Sequence, residues 1–322
     1  MDKILSMLLA IIIGCGGVMA LFYSLNFLVD LLPAPRRPQL RPWVYLFPAI
    51  FVLLAYLVIP TLNTIYLSFL DGSSQKFVGF NNYVCAFTNP TLLIAFRNNL
   101  GWLILVTSFS VGLGLILAVL MDKVKYEPFA KSLIFLPMAI SFVGAGVIWR
   151  FIYAFRPINT PQIGLLNAIV TAFGFEPIGW LVNRSINNFA LMFIMIWLQT
   201  GFCTVLISAA VKGIPPDIIE AARIDGANEW QIFWRITVPM IRSTLAVVAT
   251  TVIIVVLKVF DIVFVMTGGN HNTQVIASEM IKEMFNFRHF GRGSAIAVIL
   301  LIAVIPVMVS NIRRFTEQES SR

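Results

Sequence analysis

Seven stretches of this chain are long and apolar enough to cross a lipid bilayer, which takes about 20 residues of helix each. They are Ile4–Val29, Trp43–Leu70, Leu100–Met121, Leu133–Tyr153, Ile186–Val211, Leu245–Met266 and Ser294–Ile312. The hydrocarbon core has no water to satisfy backbone N–H and C=O groups, so only helices and closed barrels span it. Continuous apolar runs, rather than alternating ones, select helices. Charged residues make up 12% of the chain, about half the usual fraction of a soluble domain. The expectation is an all-α polytopic membrane protein with about seven transmembrane helices.

The first run has no small-residue cleavage site before PAPRRP and is too long for a signal peptide, so it reads as a retained span. Gly14, Gly16 and Gly17 give it a small-residue face. PAPRRPQLRP carries Arg36, Arg37 and Arg41 without an acid, a cytoplasmic signal. With seven spans, Lys123, Lys125 and Lys131, and Arg313 and Arg314 at the C-terminal end, fall on that same side. The N-terminus is then periplasmic and the C-terminus cytoplasmic. Outer connections run over Asp71–Asn99, Ala154–Ser185 and Thr267–Gly293. The formal charge of +8 is spread in short patches between apolar runs, which argues for basic loops and not for nucleic acid. Cys15, Cys85 and Cys203 lack disulfide or zinc spacing, and His271 and His289 have no ligand partner nearby, so no metal site is expected.

EAARIDGANEWQIFWRITVP, Glu220 to Pro239, breaks this apolar pattern on the cytoplasmic side. Pro215 and Pro216 suit a helix start, and Asp217 and Glu220 favour its positive end. Ile218, Ala221 and Ala222 fall on one small apolar face, and Gly226 stops the helix. Asn228 suits the cap of a second helix, whose Trp230, Phe233, Trp234 and Thr237 fall on one face before Pro239. Three roles fit these residues: an amphipathic stretch in the headgroups, a solvated connector, or a helix that docks on a partner protein.

The pattern of EAA, three residues, Gly, nine residues and I-x-L-P is matched by Glu220-Ala221-Ala222, Gly226 and Ile236-Thr237-Val238-Pro239, with Val238 in the Leu position. It resembles the EAA loop of permease subunits of binding-protein-dependent ABC importers. PWVYLFPAIFVLLAYLVIPTLNTIYLSF, FVGFNNYVCAF and LKVFDIVFVMTGG resemble carbohydrate permeases of the maltose type. RNNLGWL, KSLIFLPMAISFVGAGVIW and HFGRGSAIAV are most similar to the α-glucoside and glucosylglycerol branch, although Asn270-His271-Asn272-Thr273 replaces the usual continuation after TGG.

The resemblance implies a type I ABC importer permease fold with a cytoplasmic coupling-helix loop at 212–242. Residues 1–42 form an additional N-terminal helix and basic linker, 43–99 a helix and outer segment, 100–312 the permease core, and 313–322 a cytoplasmic tail. It implies that Glu220, Ala221, Ala222, Asp225, Gly226, Ile236 and Pro239 couple the chain to an ATPase subunit, which binds ATP and Mg. Further implied partners are a second permease, a solute-binding protein and membrane lipid, in a bacterial inner membrane. The chain itself has no G-x-x-x-x-G-K-[ST] loop to cradle phosphates and so binds no such cofactor.

Within the spans, Lys258 and Asp261 are ionisable groups, a functional-site signal unless they only neutralise one another. Asn98, Asn99, Gln199, Thr200 and Thr204 offer hydrogen bonds for sugar hydroxyls, and Trp102 and Trp197 offer rings for stacking. The same Lys258 and Asp261 are the only candidate relay for a different class, an ion-coupled secondary transporter.

Overall fold

The computed structural model describes residues 2–31, 33–122 and 124–320. Lys123 lies outside the described residues, as do the end of the tail at 321–322 and the side chains of Lys3, Arg36 and Arg314. The chain divides into two compact units, Met1–Tyr66 and Leu67–Arg322.

The first unit holds α1 (Asp2–Asp30) and most of α2 (Arg37–Leu67). Near the turn between them, Leu25 and Val29 are buried and the Tyr45 hydroxyl donates to Asn26. Arg37 donates to the Asp30 carbonyl at 2.6 Å, and Arg41 lies 5.9 Å over the Tyr45 ring. Three prolines, Pro42, Pro48 and Pro60, lie within α2, which still runs unbroken. A wider π-type turn at Leu54–Val58, closed by Ile59 N–H to Leu54 O, precedes Pro60. Pro60 cannot donate and its ring would clash with the carbonyl four residues back, so the extra residue in that turn relieves the conflict.

The second unit is built on α8 (Asn187–Lys212), whose most apolar window is 67% buried. Against it pack α4 (Pro90–Met121), α5 (Glu127–Phe135), α6 (Phe142–Ile152), α11 (Arg242–Leu257) and α12 (Asp261–Thr267). At the crossings, glycine lets backbones meet: a Cβ on Gly114 would lie 2.5 Å from that of Cys203, and one on Gly201 2.3 Å from the Ile134 carbonyl. A satellite core joins α3 (Asn81–Thr88) and α4 to α13 (Ile276–Ile281) and α14 (Phe290–Ser320). On the outer side α7 (Leu165–Ala172) is held by Asn167, which bonds Ala154 and Ile178.

Five helices pass the length and apolarity requirement for a span, and up to seven do if each of two bent pairs counts as one. That agrees with the expected number, but two expected straight spans are broken. Leu133–Tyr153 divides at Pro137, where α5 and α6 meet at 98°, because proline ends one helix and Ser141 caps the next through the Gly144 N–H at 3.0 Å. Leu245–Met266 ends as a helix at Leu257 and restarts at Asp261. The break exposes Lys258 and puts Asp261 in the first turn of α12, where a helix dipole favours a carboxylate. The expected outer connection Asp71–Asn99 is largely helical, since Asn89 caps α4 ten residues upstream of Leu100. The helix expected to end at Ile312 continues to Ser320.

Candidate functional site

The EAA segment forms two short helices, α9 (Pro216–Ile224) and α10 (Glu229–Met240), separated by a tight turn. Pro216 enters α9 at its first position, where its missing N–H costs nothing. Gly226 adopts φ +84°, its N–H reaching the Arg223 carbonyl at 3.1 Å while Ala227 N–H reaches that of Ala222 at 3.0 Å. This is a Schellman cap, which satisfies carbonyls that the helix end leaves unpaired. Immediately afterwards Asn228 and Gln231 cap each other's backbone N–H groups at 2.8 and 2.9 Å, starting α10. Arg223 Nε bonds Glu229 Oε1 at 3.0 Å across the turn. The hinge is therefore built by side chains, not left slack.

The faces differ from the sequence expectation. Ala222 is only 9% exposed and turns inward, whereas Ile218 and Ala221 are exposed and Ile224 is 86% exposed. Glu220 and Asp225 are exposed beside them. In α10, Thr237 is buried but Trp230 and Trp234 point outward, so the four residues do not share one face. The physical reason is another π-type turn, Phe233–Thr237, which shifts the helical phase just before Pro239, as in α2. Ile236 is half-buried and Pro239 exposed within this bend.

The loop is tied to the membrane helices by charge. Lys212, the last residue of α8, donates to Glu127 at 2.7 Å, and Glu127 also accepts from Lys131. Neither Glu127 nor Lys212 was expected as a site residue, since nothing in the sequence pairs positions so far apart.

The two helix breaks meet. Asp261, Gln199, Ser141, Phe142 and Met138 line a cavity of about 410 Å³ between the α5–α6 bend, α8 and the start of α12. No ion pair joins Lys258 to Asp261 among the described residues, and the interruption of the helix removes the shared face expected of positions i and i+3. The other expected contacts go elsewhere. Asn98 donates to the Asn272 and Gln274 carbonyls at 2.8 Å, and Asn99 accepts from the Ile276 N–H at 2.9 Å. Asn187 and Asn188, missed in the sequence, donate to His271 and Asn272 carbonyls. These four amides pin the loop after α12 between α4 and α8. Trp102 is fully buried, Trp197 packs edge-on to Trp149 at 5.6 Å, and the hydroxyls of Thr200 and Thr204 return to their own helix.

Comparison with known proteins agrees with this geometry. The family model described as binding-protein-dependent transport system inner membrane component matches residues 110–320. The osmoprotective compounds uptake permease protein GgtC of Synechocystis sp. is 72% identical over 279 residues, covering 87% of this chain and 100% of that one. The alpha-glucoside transport system permease protein AglF of Rhizobium meliloti is 46% identical over 332 residues, 99% of each chain. In fold, a crystal structure of a bacterial alginate ABC transporter with alginate pentasaccharide-bound periplasmic protein aligns with TM-score 0.75 at 21% identity, over 86% of this chain and 94% of that one.

Proposed function

Because the chain belongs to the binding-protein-dependent transport system inner membrane components, we propose that this ABC importer permease moves a sugar or glycoside-type solute inward, of the α-glucoside or glucosylglycerol kind. The names of the relatives GgtC and AglF support that solute class. The observation that carries the mechanism is the α9 helix, closed at both ends by Pro216 and the Gly226 cap and showing Ile218, Ala221, Ile224 and Asp225 outward. That face enters a cleft of a separate ATPase subunit, which holds ATP and Mg. Small side chains allow close approach, and Glu220 offers a charge to a basic partner. Closure of the ATPase pair then pulls α9, and Lys212 with Glu127 carries the pull to α8 and α5.

The solute passes the cavity at the paired helix breaks, where Gln199, Ser141 and Asp261 provide hydrogen-bonding groups. Discontinuous helices are where membrane transporters free polar groups for a ligand. A second permease completes the passage, and an extracytoplasmic solute-binding protein delivers to it. The N-terminus is periplasmic and the C-terminus cytoplasmic in the bacterial inner membrane. The test is reconstitution of the chain with its ATPase, second permease and binding protein in proteoliposomes. An α-glucoside or glucosylglycerol should stimulate ATP hydrolysis and accumulate inside. Uptake that persists without ATP and collapses with the proton gradient would instead mark an ion-coupled carrier.

A further inference from the structure

A second cavity, of about 600 Å³, lies where α4 and α8 end against the α9–α10 loop. Its size is within the roughly 300–1,000 Å³ typical of sites for small ligands. Apolar walls come from Ile116 and Val119 of α4, Val211 and Ile214 at the end of α8, and Ile232 and Phe233 of the loop. Charged groups of both signs share the lining: Asp122, Glu220 and Glu229 with Lys212 and Arg223. Lys212 is engaged by Glu127 and Arg223 by Glu229, each through one nitrogen, which leaves further N–H donors on both cations. Among the described residues no cation lies within ion-pair distance of Asp122 or Glu220. The cavity is thus apolar within, with two unpaired carboxylates beside two cations that still have protons to donate. It sits at the ends of two candidate spans, Pro90–Met121 and Asn187–Lys212.

From this juxtaposition we infer that the cavity holds a phospholipid with an ethanolamine headgroup. Its ammonium lies against Asp122 and Glu220, its phosphate against Lys212 and Arg223, and part of an acyl chain along the α4 and α8 walls. Charge chooses the headgroup: three carboxylates against two cations disfavour an anionic glycerol phospholipid, while a zwitterion matches both signs. The site is independent of the solute carried, and its failure would leave the import reading untouched.

The test uses the assembled complex containing the full chain, in nanodiscs of equal phosphatidylethanolamine, phosphatidylglycerol and phosphatidylcholine. Bound lipid is counted by native mass spectrometry after the annular lipids are stripped. The wild type should retain phosphatidylethanolamine. Asp122→Asn, which keeps the side-chain shape, should lower retention about tenfold, the effect of losing one charge-assisted hydrogen bond. Val119→Trp, which fills the cavity, should abolish it. Equal retention of phosphatidylglycerol, retention unchanged in both variants, or no retained lipid because a partner subunit closes the cavity would each overturn the assignment.

Discussion

At the scale of single residues, Gly226 and Asp71 show how a local conformation sets a testable property. Gly226 occupies the left-handed region with open space where a Cβ would project. A side chain there costs backbone strain, about 1–2 kcal/mol per residue, without a clash. Gly226→Val should therefore leave membrane insertion and complex assembly intact while loosening the α9 cap, so that ATP hydrolysis continues but uptake falls. Parallel assays of hydrolysis and accumulation check this, and undiminished uptake would refute the coupling role. Asp71 lies on the outer turn after α2, where its carboxylate accepts from the Gln75 N–H at 2.8 Å and from Lys76 N–H and Ser73. The Gln75 bond, with those from Lys76 and Ser73, holds its pKa below the ordinary 3.8. A depressed carboxylate stabilises above its unfolded pKa, and the contribution disappears as pH falls through the folded value. The amide of Gln75 should hence stay protected from hydrogen exchange at neutral pH and lose protection only in acid well below pH 3.8.

Among elements, close crossings separate glycines that look alike in sequence. Gly112 and Gly114 stand two residues apart in α4, yet a Cβ on the first meets nothing within 4 Å and on the second meets Cys203. Gly114→Leu should destabilise the chain by about 1–3 kcal/mol or more, as overpacking does, and Gly112→Leu should have little effect. Thermal denaturation of the purified variants in the same detergent compares them. The two π-type turns make a related point. Each ends two residues before a proline, Pro60 or Pro239, so a proline in a helix here widens a turn without terminating it. The start of α9, its Gly226 stop and the Asn228 cap were legible in the sequence because each depends on neighbours within a few residues. The outward turn of Trp230 and Trp234 was not, since one extra residue in the π turn shifts everything after it.

At the scale of the whole molecule, the two broken helices place Asp261 and Gln199 around one cavity, although 62 positions separate them in the numbering. Asp261→Asn should preserve assembly and basal hydrolysis yet change which solutes stimulate it, lowering discrimination against anionic ones. Competition uptake with neutral and carboxylated glycosides measures this, and an unchanged preference would remove Asp261 from the passage. The sequence by itself determined the class, the span count and the EAA loop. Bilayer thickness imposes run length, and caps and motif spacing are local, so both can be read along the chain. Only the tertiary structure decided that Lys258 and Asp261 lie on either side of a helix break, that Asn98 and Asn99 hold a loop, and that Glu127 holds the end of α8. Each of those depends on which backbone group lies opposite across packed helices, and hydropathy along a single run carries no information about that.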